Sequence, residues 1–493
     1  MATIIALLRA APRRVALLCC AVFWCALASG TVHAQGSQAW ASELWVGSWG
    51  AGPAGPPLDT ASAVFNQQTV RLIVHTSTAG SRVRIRLSNE MGGSTLQIGG
   101  AHVALRVAGS AGIVAGSDRT LTFSGNPTIV VPAGTPVLSD PVDLAVPALS
   151  DLAISLYFPV KTRVTTVHAM ATQDSYVSTT GNFVGSSTFP VQGTIEQWPF
   201  LVEVDVTGKS GAGAIITLGD SITDGLRSNG NSNNRWPDWL ARRLQAGSGA
   251  SLGVVNRGIA GNRLLSNPQV GSLAGRAALE RFDRDVLATA GARYLIVLIG
   301  INDLINSSSS SPLTSDDLIA GYRQLIARAH ARGISVIGAT VTPFQDADYY
   351  SADKDLVRQA ANTWIRSSGQ FDGVVDFDAL LRDPANPRRL APSYDSGDHL
   401  HPNNLGYQLM GNAVPLSLFT AGVVRTLDEG ASVAGKAAVD VTAKLAETGA
   451  ANLAAGVASN PVGNAAHKSA ASAAVDQAAQ AAQATASEEE SAN

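Results

Sequence analysis

Five mainly apolar runs, at residues 214–218, 252–256, 294–299, 334–341 and 373–377, are separated by stretches with a helical period. A strand that is apolar at nearly every position has both faces buried, and sheets of that kind are parallel with helices on either side. The clearest helical pattern covers 316–332. There Leu318, Ile319, Tyr322, Leu325, Ile326 and Ala329 share one face, while Asp316 and Asp317 suit the positive helix end. Ser315 is the expected N-cap and Gly333 the stop. The prediction for residues 214–424 is therefore α/β, a five-stranded parallel sheet flanked by helices.

Residues 40–205 have a different rhythm. In Arg82-Val83-Arg84-Ile85-Arg86-Leu87 charged and apolar residues alternate with period two, the pattern of a strand with one wet face, and Val70, Leu72 and Val74 repeat it. Short runs of the same kind follow at 102–107, 120–123, 128–131 and 152–158, divided by Gly, Pro, Ser and Asp. Many short strands with punctuating turns and no intervening helix predict an all-β sandwich. Residues 206–213, rich in small side chains, read as a linker. Beyond 425 the chain is rich in alanine and poor in aromatics, with little to bury, and 425–493 is expected to be a flexible tail.

At the other end, Arg9, Arg13 and Arg14 precede an apolar run from Val15 to Gly30, and Val32-His33-Ala34 resembles a small-residue cleavage site. The run has 16 residues, whereas a membrane span needs about 20. Residues 1–34 are therefore expected to be a signal peptide cut after Ala34, giving a secreted or periplasmic protein with no stable membrane insertion. Cys19, Cys20 and Cys25 all lie in that segment, so the mature chain is expected to have no disulfide, cysteine metal site or cysteine nucleophile. Charged residues make up 15% and the formal net charge is −3, which points away from a nucleic-acid partner.

Four loops follow the apolar strands and would share one edge of a parallel sheet, where such sheets bind ligands. They contain Gly219-Asp220-Ser221, Asn256-Arg257-Gly258-Ile259-Ala260-Gly261-Asn262, Gly300-Ile301-Asn302-Asp303 and Asp398-His399-Leu400-His401-Pro402. A serine at a strand end becomes a nucleophile only with a base to take its proton and donors to receive an oxyanion. The order G-D-S, N-x-G-x-x-G, G-x-N-D and D-x-x-H-P resembles the SGNH (GDSL) hydrolase superfamily over roughly residues 214–420. The wider layout, with a β domain ahead, resembles the XynE-like bacterial esterases associated with xylan degradation. No G-x-S-x-G elbow is present, which disfavours an ordinary α/β-hydrolase.

The resemblance implies a flavodoxin-like SGNH fold and an acyl-enzyme on Ser221. His401 would be the general base and Asp398 would hold its tautomer. The backbone N–H groups of Ser221 and Gly261 and the Asn302 amide would form the oxyanion hole. No metal or organic cofactor is expected. The substrate would be a small ester or an acetylated polysaccharide.

Each of these residues has blander competitors. Asp220 and Asp303 read as structural, Asp220 hydrogen-bonding backbone in its turn. Gly258 reads as loop geometry. His399 and Asp395 compete with His401 and Asp398 and lose on spacing. His75, His102, His168 and His330 read as satisfied surface or core histidines, without ligand spacing among them. Trp236 and Trp239 read as packing residues of a helix, with Trp236 a candidate pocket border. Trp45, Trp49 and Trp198 suit core packing better than a sugar-stacking platform. The rival functions are a broad-specificity arylesterase, lipase or thioesterase, and a carbohydrate-binding surface protein with a vestigial hydrolase domain. Oligomeric state has no signature in the sequence.

Overall fold

The computed structural model describes residues 43–58, 62–247, 251–308 and 310–419. The expected signal peptide at 1–34 and tail at 425–493 lie outside the described residues.

The β region has strands β1 (Trp45–Gly50), β2 (Gln68–His75), β3 (Gly80–Ser88), β4 (Gly100–Leu105), β5 (Val142–Val146), β6 (Asp151–Phe158), β7 (Ser175–Thr180), β8 (Val191–Ile195) and β9 (Leu201–Thr207), with shorter pairings between them. They form two antiparallel sheets, one in the order β1-β9-β3-β5 and the other in the order β8-β7-β2-β6-β4. Val70, Leu72 and Val74 of β2 meet Val83, Ile85 and Leu87 of β3 in one core, the interior of a sandwich.

The faces expected to meet water are largely covered. On β2, Arg71 is fully buried. Its guanidinium donates to Ser155 Oγ at 2.9 Å, Ala111 O at 2.7 Å and Ser186 O at 3.0 Å, and lies 4.4 Å from the Phe189 ring centre. On β3, Arg84 pairs with Asp205 at 2.9 Å and Arg86 with Glu203 at 3.4 Å, both acids being buried on β9. A period-two pattern marks which face is charged, and here that face is turned toward the rest of the chain.

The second region contains β10 (Gly213–Gly219), α1 (Ser221–Asp224), α2 (Trp236–Ala246), β11 (Leu252–Gly258), β12 (Ala292–Leu298), α3 (Ile301–Ile305), α4 (Ser315–His330), β13 (Ser335–Ala339), α5 (Ala352–Ser367), β14 (Gly373–Val375) and α6 (Asn404–Ala413). Its five strands are parallel in the order β11-β10-β12-β13-β14. Alternate residues face opposite layers. Ile216, Leu218, Leu295 and Val297 pack with Leu318 and Leu325 of α4. Ile215, Ile296 and Leu298 pack with Trp236 and Leu240 of α2 and Met410 of α6.

Two local expectations are corrected. The N-cap of α4 is Thr314, whose Oγ1 accepts from Asp317 N while the Asp317 carboxylate accepts from Thr314 N, a reciprocal capping box. The final apolar run ends as strand at Val375, because the Asp376 side chain accepts from Ala379 N and starts a helix at Phe377.

The two regions cross at β1 and β11. A Cβ on Gly253 would lie 2.1 Å from Gly47 O, so the backbones touch there and only glycine fits. Gly47 N donates to Ala290 O and Val254 N to Ser77 Oγ, both at 2.8 Å. Arg257, buried on β11, donates to Ala51 O at 2.9 Å and Val202 O at 2.8 Å and pairs with Glu203.

Candidate active site

β10 ends at Gly219, where a Cβ would lie 2.2 Å from Thr223 Oγ1 and 2.6 Å from Leu298 O. The chain therefore turns tightly into α1, whose first residue is Ser221. The Asp220 carboxylate caps this turn by accepting from Ile222 N at 3.0 Å, the structural role expected of it. Burial pushes the Asp220 carboxyl up to about 7. Gly225 closes the turn with φ 97°.

Ser221 Oγ lies 2.8 Å from His401 Nε2, and His401 Nδ1 lies 2.9 Å from Asp398 Oδ2. A carboxylate only accepts, so Nδ1 carries the proton and Nε2 is left to accept from the serine. Ser221 is 5% exposed and His401 8%. Burial favours the neutral imidazole and lowers the His401 pKa below 6.5, Asp398 opposing and Arg227 adding to the shift. Burial by itself would raise Asp398, but the His401 and Leu400 N–H groups (2.8 and 3.1 Å from Oδ1) and the imidazole outweigh it. Asp398 is held well below the usual carboxylate range.

The second loop makes a turn in which Asn262 N donates to Ile259 O at 3.0 Å and Gly261 has φ 78°. Left-handed backbone at the third turn position suits glycine. Asn302, in α3, donates one amide hydrogen to Asn262 O at 3.0 Å, which orients its amide and leaves the other hydrogen available. Asp303 accepts from Leu264 N at 2.7 Å and Leu265 N at 2.9 Å, locking α3 to the same loop. Among the described residues, neither Ser221 N nor Gly261 N finds a protein acceptor.

The competing pair sits apart. His399 Nδ1 is 2.6 Å from Asp395 Oδ2, and its side chain is 47% exposed. His75, His102 and His330 pair with Asp151, Asp118 and Asp372. Trp236 is fully buried against Phe377, which removes it from any pocket border. Trp45, Trp49 and Trp198 are buried too, Trp49 edge-on to Trp198 at 4.9 Å.

Two arginines at the site have no signature in the sequence. Arg281, fully buried, donates to Gly219 O at 3.0 Å and Asn262 Oδ1 at 3.1 Å, tying the nucleophile strand to the glycine turn. Arg227, 58% exposed, donates to Asp398 Oδ2 at 3.1 Å. Beside the turn lies a cleft of about 280 Å³ lined by Ala169, Met170, Ile259, Ala260, Ser272 and Ala274. Among the described residues no group of three or more His, Cys, Asp or Glu could hold a metal, and no helix is long and apolar enough to cross a membrane.

The arrangement can activate an alcohol, receive an oxyanion and return a proton, the parts of acyl transfer. Three solved structures are similar to part of the chain at a low overall level. An acetyl xylan esterase of Geobacillus stearothermophilus is 21% identical with a TM-score of 0.33, covering 43% of this chain and 97% of that one. The lipase/acylhydrolase of Enterococcus faecalis is 20% identical with a TM-score of 0.33, covering 42% and 95%. The aryl esterase of M. smegmatis is 15% identical with a TM-score of 0.33, covering 41% and 96%. No curated protein matches the chain. Residues 217–409 match the GDSL-like lipase/acylhydrolase family model, and that span contains Ser221, Gly261, Asn302, Asp398 and His401.

Proposed function

We propose that the protein is an exported carboxylic-ester hydrolase that removes short acyl groups, acetyl above all, from plant polysaccharide. The separation of 2.8 Å between Ser221 Oγ and His401 Nε2 carries the reading. His401 takes the serine proton as Oγ attacks the ester carbonyl, and Asp398 stabilises the imidazolium that forms. The Ser221 and Gly261 N–H groups and the Asn302 amide receive the oxyanion. His401 then protonates the departing alcohol, and a water activated by the same imidazole releases the acid and restores Ser221.

The short acyl preference follows from the resemblance to XynE-like esterases. The polysaccharide preference follows from the resemblance of the two-part layout to XynE-like esterases. Export follows from Arg9, Arg13 and Arg14 ahead of the apolar run Val15–Gly30 and the small-residue site ending at Ala34.

The test is hydrolysis of p-nitrophenyl esters of increasing length and of acetylated xylan by wild type and Ser221→Ala. The wild type is expected to prefer acetyl and to release acetate from the xylan, with Ser221→Ala inactive. Equal turnover by both proteins would refute the serine mechanism, and a preference for chains of eight carbons or more would refute the substrate.

A further inference from the structure

The catalytic domain is clamped from outside itself by one histidine. His168 lies in the β region, in the two-residue strand Val167–His168 paired with Trp198–Pro199, upstream of the segment that matches the hydrolase family. Its ring is buried, with Nδ1 at 2.9 Å from Gly52 O and Nε2 at 2.9 Å from Asp224 Oδ1. Asp224 is the last residue of α1, the single turn that begins with Ser221. Its other oxygen, Oδ2, accepts from Ala260 N at 2.9 Å. Ala260 immediately precedes Gly261.

We infer that His168 is a positioning residue for the oxyanion loop, acting through the Asp224 carboxylate on the peptide ahead of Gly261. The inference rests on the ester-hydrolase reading for its meaning but on separate contacts for its geometry. Each partner of the His168 ring, a carbonyl and a carboxylate, is only an acceptor, so both ring nitrogens donate and the ring is an imidazolium. Burial opposes that charge, and the Asp224 charge and hydrogen bond outweigh it, so the His168 pKa is raised. Arg235, whose guanidinium lies over the neighbouring Trp198 ring at 5.7 Å, opposes it weakly.

The buried ion pair fixes one carboxylate rotamer. That carboxylate holds the end of the nucleophile turn and the start of the glycine turn in one relation, with the Ala260 N–H as the second anchor. The Gly261 N–H direction depends on the plane of the Ala260–Gly261 peptide. A donor preset toward the oxyanion needs no reorganisation during the reaction, which is where such donors gain their effect. Without a donor at the Nε2 position, Asp224 would be a buried carboxylate short of a partner and would turn away from Ala260.

Two substitutions in the full-length chain separate positioning from bulk stability. In His168→Gln the amide nitrogen takes the place of Nε2 and still donates to Asp224. In His168→Asn the amide takes the place of Nδ1, keeps the Gly52 contact and does not reach Asp224. Activity on p-nitrophenyl acetate is counted per active site from the burst of p-nitrophenolate, so unfolded enzyme drops out. His168→Asn is expected to lose about tenfold to a hundredfold in kcat, part of the 10²–10³ that deleting a donor costs, with KM within about threefold. His168→Gln is expected to keep kcat within about fivefold. Deuterium exchange at the peptide spanning 258–262 gives a readout independent of turnover, expected to quicken in His168→Asn and not in His168→Gln. Equal losses in the two variants, or unchanged kcat and exchange in His168→Asn, would overturn the inference. If the wild type did not hydrolyse p-nitrophenyl acetate at all, the esterase reading would fall while the exchange comparison still decided the role of His168.

Discussion

Gly258 ends β11 directly under the nucleophile turn, and Gly258→Ala is the sharpest probe of how Ser221 is seated. A Cβ there would lie 2.2 Å from Asp224 N, 2.7 Å from Asp224 Cα and 2.7 Å from Thr223 C. All three are backbone atoms of α1 or its neighbouring peptide, so no side chain can rotate away. Gly258 lies in a regular strand and not in the left-handed region, so alanine adds contact and no backbone strain. Restoring a carbon contact of about 3.5 Å needs α1 to retreat by about 1 Å. The Ser221–His401 bond of 2.8 Å would then be stretched beyond hydrogen-bond length. A misplacement of about 1 Å costs about 10²-fold in rate, and forcing a methyl into a packed site costs about 1–3 kcal/mol in stability. We therefore expect Gly258→Ala to lose about 10²-fold in kcat/KM on p-nitrophenyl acetate, with a lower thermal midpoint. A variant with wild-type kcat/KM and an unshifted midpoint would refute this account of α1.

Arg227→Gln tests the electrostatics of the base. The kcat/KM of the wild type is expected to rise with pH through the His401 pKa, which burial places below 6.5, because only neutral imidazole accepts the serine proton. Arg227 and His401 contact the same Asp398 oxygen at 3.1 and 2.9 Å, so their charges lie within about 6 Å, worth about 0.7 kcal/mol or half a pH unit at the dielectric constant of water. Removing the cation makes the imidazolium easier to form, so the acid limb should move up by about half a unit, less at high salt. A limb that stays put or moves down excludes the assignment. On the proposed mechanism, Asn302→Ala removes a side-chain donor to the oxyanion and should cost about 10²–10³ in kcat at nearly constant KM, and a change confined to KM would assign Asn302 to ground-state binding.

The parallel sheet is legible because buried strands read as apolar runs, and the four loops because each keeps its residues within a few positions. What escapes the sequence is long-range pairing. Nothing local in Arg71 says that the 183–189 segment covers it, and nothing in the Arg82–Leu87 alternation says that Glu203 and Asp205 neutralise the charged face. The cap of α4 moved from Ser315 to Thr314 because a reciprocal box needs its acid three residues on, and Asp317 meets that spacing from Thr314. His168 was readable as a satisfied histidine, but its partner lies 56 positions away in a different fold region. Arg227 and Arg281 act on groups 171 and 62 positions distant, beyond any spacing rule.

These long-range contacts converge on one strand. β11 carries Gly253 where β1 crosses it, Arg257 paired with Glu203 of the sandwich, Gly258 under the nucleophile turn and, just beyond, Ala260 and Gly261. A buried ion pair such as Arg257–Glu203 adds little net stability over an apolar pair, yet breaking it leaves a buried charge at a cost of about 3–5 kcal/mol. Its effect is to select one placement of β11 against the sandwich. The crossing at Gly47 and Gly253 removes the remaining freedom, because the two backbones are already in contact. With Trp45, Trp49 and Trp198 buried, none of the three is free to stack on a sugar. The contacts of the β region bear on the site: they fix the strand that leads into the Gly261 turn and hold that turn against the Ser221 turn.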